Sequence, residues 1–114
     1  MKVFVICPVR DADLELTAAI RKEVDDLKAA GHEVHFPPDD TVQDKDIIGT
    51  DICACNRDAL IAADVVAVWY DPTSQGSIFD LGIAWGARKR VVLLNEVAPT
   101  EGKSFANVLL NWNR

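Results

Sequence analysis

The residues best suited to chemistry lie in the run SQGSIFDLGIA, residues 74–84. Ser74, Gly76 and Ser77 form a turn of small and hydroxylated residues that opens a predicted helix. The first backbone N–H groups of a helix are free to bind an anion. Asp80 lies one turn further along the same helix. A carboxylate there can act as a nucleophile or stabilise a developing positive charge, so the segment predicts a sugar or phosphate site.

Other candidate binding residues follow two predicted strands. Cys7, Pro8 and Arg10 come directly after the first strand, and Tyr70 and Asp71 come at the end of the third. Arg10 could hold a phosphate or a carboxylate, and an exposed surface arginine explains it equally well. An aromatic ring such as that of Tyr70 could stack on a base.

The same residues also have purely structural explanations. The segment 71–77 could be a plain connection from strand to helix, with Ser74 or Ser77 as the N-cap. The helix dipole alone favours a carboxylate such as Asp80 near a helix N-terminus. The position of the turn in the expected fold, argued below, favours a binding loop.

Length and composition favour one domain over residues 1–114. Hydrophobic residues make up 49% of the chain, which is enough for an ordinary core. The formal net charge of −6 argues against a protein that binds duplex nucleic acid, because such proteins need a basic face. No apolar run reaches membrane-spanning length and the N-terminus lacks signal-peptide features, so we expect a cytoplasmic protein without membrane contacts.

The cysteines give no sign of a disulfide or a metal. Cys7, Cys53 and Cys55 are an odd number, and the two-residue spacing of the last pair suits zinc poorly. Reduced, partly buried thiols are the simplest interpretation. We therefore expect no metal site and no cofactor.

Four short apolar segments alternate with helical patterns along the chain. Runs rich in β-branched residues are typical of buried parallel strands, and apolar residues at helical spacing predict the helices between them. The predicted strands are 3–6, 32–36, 65–70 and 91–94, and the predicted helices are about 13–30, 46–63, 75–88 and 103–112, with a loop at 39–45.

This alternation predicts an α/β fold of three layers, a flavodoxin- or Rossmann-like doubly wound parallel sheet with strand order 2-1-3-4. In such sheets the ligand binds at the carboxyl ends of the strands, where the strand order reverses. That point lies between the first and third strands here. Residues 7–10 and 71–77 should therefore meet at one crevice.

The chain resembles the nucleoside 2-deoxyribosyltransferase family, including its nucleotide N-hydrolase branch, over nearly its whole length. The shared features are the loop CPVR (7–10), the segment AAD (62–64) before the third strand, and the run 74–84. The last is the most specific. In the family a glycine lies four residues before a catalytic glutamate and Leu-Gly-x-Ala follows at once, a pattern matched here by Gly76, Asp80 and residues 81–84.

The resemblance implies the doubly wound fold and cleavage of the bond between a base and a ribose or deoxyribose, with the sugar passed to another base or to water. Asp80 occupies the position of the catalytic glutamate and would be the nucleophile or the cation stabiliser. The hydrolase branch typically carries a serine at the Ser74 position and uses it on a 5′-phosphate. Ser74 therefore hints at a nucleotide, and Arg10 would suit the same phosphate.

Two positions depart from the family pattern. Asp80 is one methylene shorter than glutamate, and a misplacement of about 1 Å can cost on the order of 10²-fold in rate. The family's second acid is Asn56 here, and an amide can bind a ligand but cannot donate a proton as an acid does. Family members commonly complete each site with residues of a neighbouring subunit, so the resemblance implies a homodimer or a higher homo-oligomer in which Asn107 and Asn111 are candidates for that contact.

Two other functions are compatible with the sequence. The same pocket could bind or sense a nucleotide without catalysis, since both acid positions are altered. A phospho-receiver domain is the second, because Asp11 and Asp13 follow the first strand and Asp71 follows the third. The predicted elements lack the fifth strand that such a domain needs.

Overall fold

A computed structural model of the protein describes residues 1–43, 45 and 48–113. These residues form four strands and five helices. In chain order they are β1 (Lys2–Ile6), α1 (Leu14–Ala29), β2 (Glu33–His35), α2 (Pro37–Asp40), α3 (Thr50–Ala62), β3 (Val65–Val68), α4 (Gln75–Gly86), β4 (Arg90–Leu93) and α5 (Phe105–Leu110).

The strands form one sheet in the order β2-β1-β3-β4, and all neighbouring pairs are parallel. This confirms the predicted fold class and strand order. The central strands β1 and β3 pair from Val3 with Val65 to Ile6 with Val68. Because these paired residues are buried on both faces, their sequences are continuously apolar rather than alternating, and only Lys2 at the start of β1 is charged and exposed.

Side chains of successive strand residues point to opposite faces and build two core layers. On one face Phe4, Ile6 and Val66 pack with residues of α3, α4 and α5. On the other face Val5 and Ala67 pack with residues of α1. The sheet is therefore the middle of three layers, and its carboxyl ends emerge between the helices.

Polar contacts close the amino ends of the strands. The backbone N–H of Lys2 donates to Asp64 Oδ2 at 2.8 Å, next to the start of β3. Lys89 Nζ donates to the carbonyl oxygens of Ile61 at 2.6 Å and Ala63 at 2.7 Å, where it satisfies acceptors at the C-terminal end of α3. Trp112 Nε1 in turn donates to the Lys89 carbonyl at 2.9 Å.

Several predicted boundaries were wrong. The third strand ends at Val68 rather than at residue 70, and the segment 37–40, predicted to end a strand and begin a loop, forms the short helix α2. Proline fixes φ and lacks an N–H, so it is tolerated at the start of a helix, where Pro37 lies. The second long helix begins at Thr50. Its predicted first residues, 46 and 47, lie outside the described residues.

None of the helices in the described part of the chain is both long and apolar enough to cross a lipid bilayer.

Candidate active site

A cleft of about 860 Å³ opens at the carboxyl ends of β1 and β3. Its walls are the loops that follow these two strands, together with parts of α3 and α4. The predicted site residues that line it are Cys7, Pro8, Arg10, Asn56, Asp71, Ser74, Gly76 and Asp80. The reversal of strand order therefore brings together segments that are more than sixty residues apart in the sequence.

Asp80 is the chemically distinctive residue of the cleft. It lies in the second turn of α4, and burial raises the pKa of its carboxyl from 3.8 to about 6. Among the described residues, no group donates a hydrogen bond to its carboxylate or forms an ion pair with it. A desolvated carboxylate without a cationic partner keeps its charge available for a ligand.

Cys7 is the immediate electrostatic neighbour of Asp80. Burial, and secondarily the charge of Asp80, raise the pKa of the Cys7 thiol to about 12. The thiol is therefore neutral near pH 7. Since the thiolate is the nucleophilic form of cysteine, Cys7 serves the site as a small apolar wall.

Ser74 is the N-cap of α4 and bonds to Ser77 in the first turn of the helix. The Ser74 hydroxyl oxygen accepts from the Ser77 backbone N–H at 3.3 Å, and the hydroxyl donates to Ser77 Oγ at 2.9 Å. Ser77 is only 1% exposed and does not line the cleft, so its predicted role in binding has no support. It lies in helical register with Leu81 and Ala84, which are also buried against the sheet.

The end of the third strand also differs from expectation. Tyr70 packs with the α3–α4–α5 core layer and not along the cleft. Its backbone is held by the side chain of Asn95, which accepts from the Tyr70 N–H at 2.8 Å and donates to the Tyr70 carbonyl at 2.9 Å.

Asp71 Oδ1 accepts from the Thr73 N–H and hydroxyl, so it shapes the turn that leads to α4. This use of Asp71 gives the phospho-receiver alternative no support.

Arg10 and Asn56 are the remaining predicted polar residues of the cleft. Arg10 is exposed, and no carboxylate among the described residues forms an ion pair with it. Asn56 is 8% exposed, and its Oδ1 accepts from the Thr41 hydroxyl at 2.7 Å. Thr41 Oγ1 also lies 2.9 Å from His35 Nε2. A buried polar chain thus runs from β2 to the wall of the cleft.

Sequence reasoning missed several cleft residues. They are Leu16 on α1, Gln43 and Ile48 in the loop before α3, Ile52 on α3 and Phe79 on α4. Phe79 had a signal in the sequence, because it directly precedes Asp80; in the structure it is 57% exposed although it is aromatic. The loop residues had none, since polar composition alone does not show where a loop folds.

The C-terminal asparagines make contacts within their own chain. Asn107 Oδ1 accepts from the Thr100 N–H at 3.0 Å, and its Nδ2 donates to the Gly102 carbonyl at 2.6 Å. Asn111 Nδ2 donates to the Asn107 carbonyl at 2.8 Å. These bonds fix the loop that precedes α5. The expected contribution of Asn107 and Asn111 to a partner's site, and the homodimer itself, stay predictions.

The described residues contain no group of three or more His, Cys, Asp or Glu side chains that could hold a metal ion. In the described part of the chain, the cleft thus combines a partly desolvated carboxylate that forms no ion pair, a cationic side chain at its edge and an amide on its wall.

Comparison with known proteins identifies the family of the chain. The chain is similar in structure to a 2-deoxyribosyltransferase from the psychrotolerant bacterium Bacillus psychrosaccharolyticus, with a TM-score of 0.71 and 17% sequence identity over 87% of this chain and 77% of that one. No curated protein matches the chain. The family model of nucleoside 2-deoxyribosyltransferases matches residues 7–109, which include the whole cleft. The chain therefore belongs to the nucleoside 2-deoxyribosyltransferase family.

Proposed function

We propose that this protein cleaves the N-glycosidic bond of a nucleoside or nucleotide, with Asp80 at the anomeric carbon. As the C1′–N bond breaks, positive charge builds on the sugar, and the base leaves with the bonding electron pair. The Asp80 carboxylate would bond to C1′ or stabilise the cation. The sugar then passes to a second base or to water.

The observation that carries the proposal is the position of the Asp80 carboxylate, which lines the cleft and has no ion-pair partner among the described residues. Burial raises its pKa to about 6, so it is ionised at neutral pH while partly removed from water. An electrostatic interaction inside such a site is stronger than in bulk water and is already oriented before the reaction. A carboxylate in this state is well suited to a transition state that is more positive than the substrate.

The charged residues around the cleft affect whether the substrate can carry a phosphate at its 5′ end. Arg10 and the N-terminal turn of α4 lie on the same cleft and could hold a phosphate. Asp11 and Asp71 also line it and oppose a second negative group. A nucleoside and its 5′-monophosphate are therefore both substrates to be tested.

A binding module without catalysis is the second candidate, and the amide at Asn56 favours it. Without an acid at that position, Asn56 cannot protonate the departing base. Against it stands the cost of keeping Asp80 partly desolvated with no ion-pair partner among the described residues, which a site that only binds must recover through hydrogen bonds from its ligand.

The first prediction is release of free base by the protein. We expect base to appear when the protein is incubated with one or more members of a panel of 2′-deoxynucleosides, ribonucleosides and their 5′-monophosphates, followed by liquid chromatography. Adding a second free base distinguishes transfer, which yields a new nucleoside, from hydrolysis. Saturable binding without base release from any panel member would favour the binding module instead.

The second prediction concerns pH. Because Asp80 must be ionised to act, kcat/KM should rise with pH and level off above about pH 6, falling roughly tenfold per unit at lower pH. Initial rates should be measured from pH 4.5 to 8 with a pyrimidine deoxynucleoside whose base does not titrate in that range. A rate that is constant from pH 5 to 8 would contradict a role for the Asp80 carboxylate.

A further inference from the structure

The polar chain behind the cleft fixes which end of the Asn56 amide faces a ligand. Thr41 is 4% exposed and lies between the side chains of His35 and Asn56. Its Oγ1 is 2.7 Å from Asn56 Oδ1, a distance typical of an O–H···O bond, and 2.9 Å from His35 Nε2, a distance typical of N–H···O.

A hydroxyl group has one hydrogen to donate and two lone pairs that accept. The Thr41 hydroxyl donates its hydrogen to Asn56 Oδ1. Its oxygen is then left to accept from His35 Nε2–H and, at 3.7 Å, from the Cys55 thiol. With the hydroxyl hydrogen on Asn56 Oδ1, the contact with His35 requires a hydrogen on Nε2, which the protonated ring and the Nε2–H tautomer of the neutral ring both carry.

Because the Asn56 amide oxygen is bonded to Thr41, the amide nitrogen is the end of the side chain that faces the cleft. Every fully buried polar side-chain atom in the described part of the chain has a hydrogen-bond partner. No described residue accepts a hydrogen bond from Asn56 Nδ2, so this nitrogen is not fully buried. The open space that Asn56 lines is the cleft that holds Asp80.

We propose that Thr41 is a positioning residue that turns Asn56 into a fixed hydrogen-bond donor, so that the site selects bases that present an acceptor atom to Asn56 Nδ2. The inference rests on the proposed function, since it assumes that a base lies in this cleft. An aspartate at the same position would accept a hydrogen bond from a base N–H or, when protonated, donate one. An amide held by Thr41 only donates toward the ligand, and this preference does not change with pH.

Free bases are the probes that test this inference, because without a sugar donor the protein cannot turn them over. Adenine, hypoxanthine and cytosine are each compared with isosteres that lack one acceptor because a ring nitrogen is replaced by C–H. Dissociation constants are measured by isothermal titration calorimetry. In at least one pair, we expect the wild type to bind the parent base about tenfold more tightly than the isostere.

Two variants separate positioning from folding. Thr41→Val preserves shape but removes the hydroxyl, so the preference should fall to about twofold or less, while Thr41→Ser should retain it. Asn56→Asp should weaken binding of the preferred parent base about tenfold and abolish the preference. Circular dichroism and thermal melting check that each variant is folded.

The outcomes distinguish this inference from the proposed function. It is overturned if no pair shows a preference, if no base binds, or if folded Thr41→Val discriminates as well as the wild type. A preference that depends on Thr41, in a protein that releases no base from any nucleoside, would support the inference and overturn the catalytic proposal.

Discussion

Replacing Asp80 by asparagine is expected to lower the rate of base release by at least about 10³-fold. Asparagine has nearly the same shape but carries no charge, so it can neither bond to C1′ as a nucleophile nor stabilise a cation. The measurement is kcat/KM for the best substrate of the panel. Binding of free bases by the variant should change much less, because the amide at Asn56 is untouched.

Asp58→Asn is the matched control for this experiment. It makes the same chemical change on the exposed surface of α3, where the Asp58 side chain is 72% exposed and paired with Arg57, away from the cleft. Its rate of base release should equal that of the wild type. Base release by Asp80→Asn at the wild-type rate would remove Asp80 from the mechanism and leave the family's chemistry to another residue.

The same Asp80→Asn substitution is expected to stabilise the fold by on the order of 2–3 kcal/mol at pH 7.5. The pKa of Asp80 is raised from 3.8 to about 6 by burial, so the folded state binds the proton more tightly than the unfolded state. The stability associated with the protonated carboxyl is fully present below pH 3.8 and is lost as the pH rises through 6. Asparagine does not ionise and avoids this loss.

Urea unfolding of both proteins from pH 4 to 7.5 measures this difference. The gap in unfolding free energy should be small at pH 4 and should widen up to about pH 6. Asp58→Asn should show no comparable widening. A gap that does not change with pH would mean that Asp80 is solvated in the folded protein, which would also weaken the proposal for its role.

The fold could be predicted from the sequence because its signals are local and repeated. The run Val65–Val68 is apolar at every position, and such a run alternating with helical patterns admits few arrangements other than a doubly wound parallel sheet. The position of the cleft follows from that topology alone. Of the predicted residues at the ends of β1 and β3, four lie on it for this reason and Tyr70 does not: Cys7, Pro8, Arg10 and Asp71.

Other features depend on tertiary contacts that periodicity does not encode. Thr41 lies in the segment 39–45 that the sequence predicts as a loop. Its burial depends on a contact with Asn56, fifteen positions further along the chain. Tyr70 is a candidate for stacking on a base because of its aromatic ring, but it shares the face of Val66 and Val68 and therefore packs in the core. Ser77 could have been predicted correctly, since its spacing to Leu81 and Ala84 places it on the buried face of α4.

The contacts that close the amino ends of the strands have a consequence for how this protein can evolve. Lys89, Asp64 and Trp112 anchor the layers at the edge opposite Asp80, and none of them lines the cleft. Substitutions at distant sites without shared partners combine nearly additively. Mutations that alter ligand preference can therefore accumulate in the loops around Asp80 while the contacts at the opposite edge keep the protein folded. Conversely, mutations at that edge can increase the stability of the fold without changing the chemistry of the cleft.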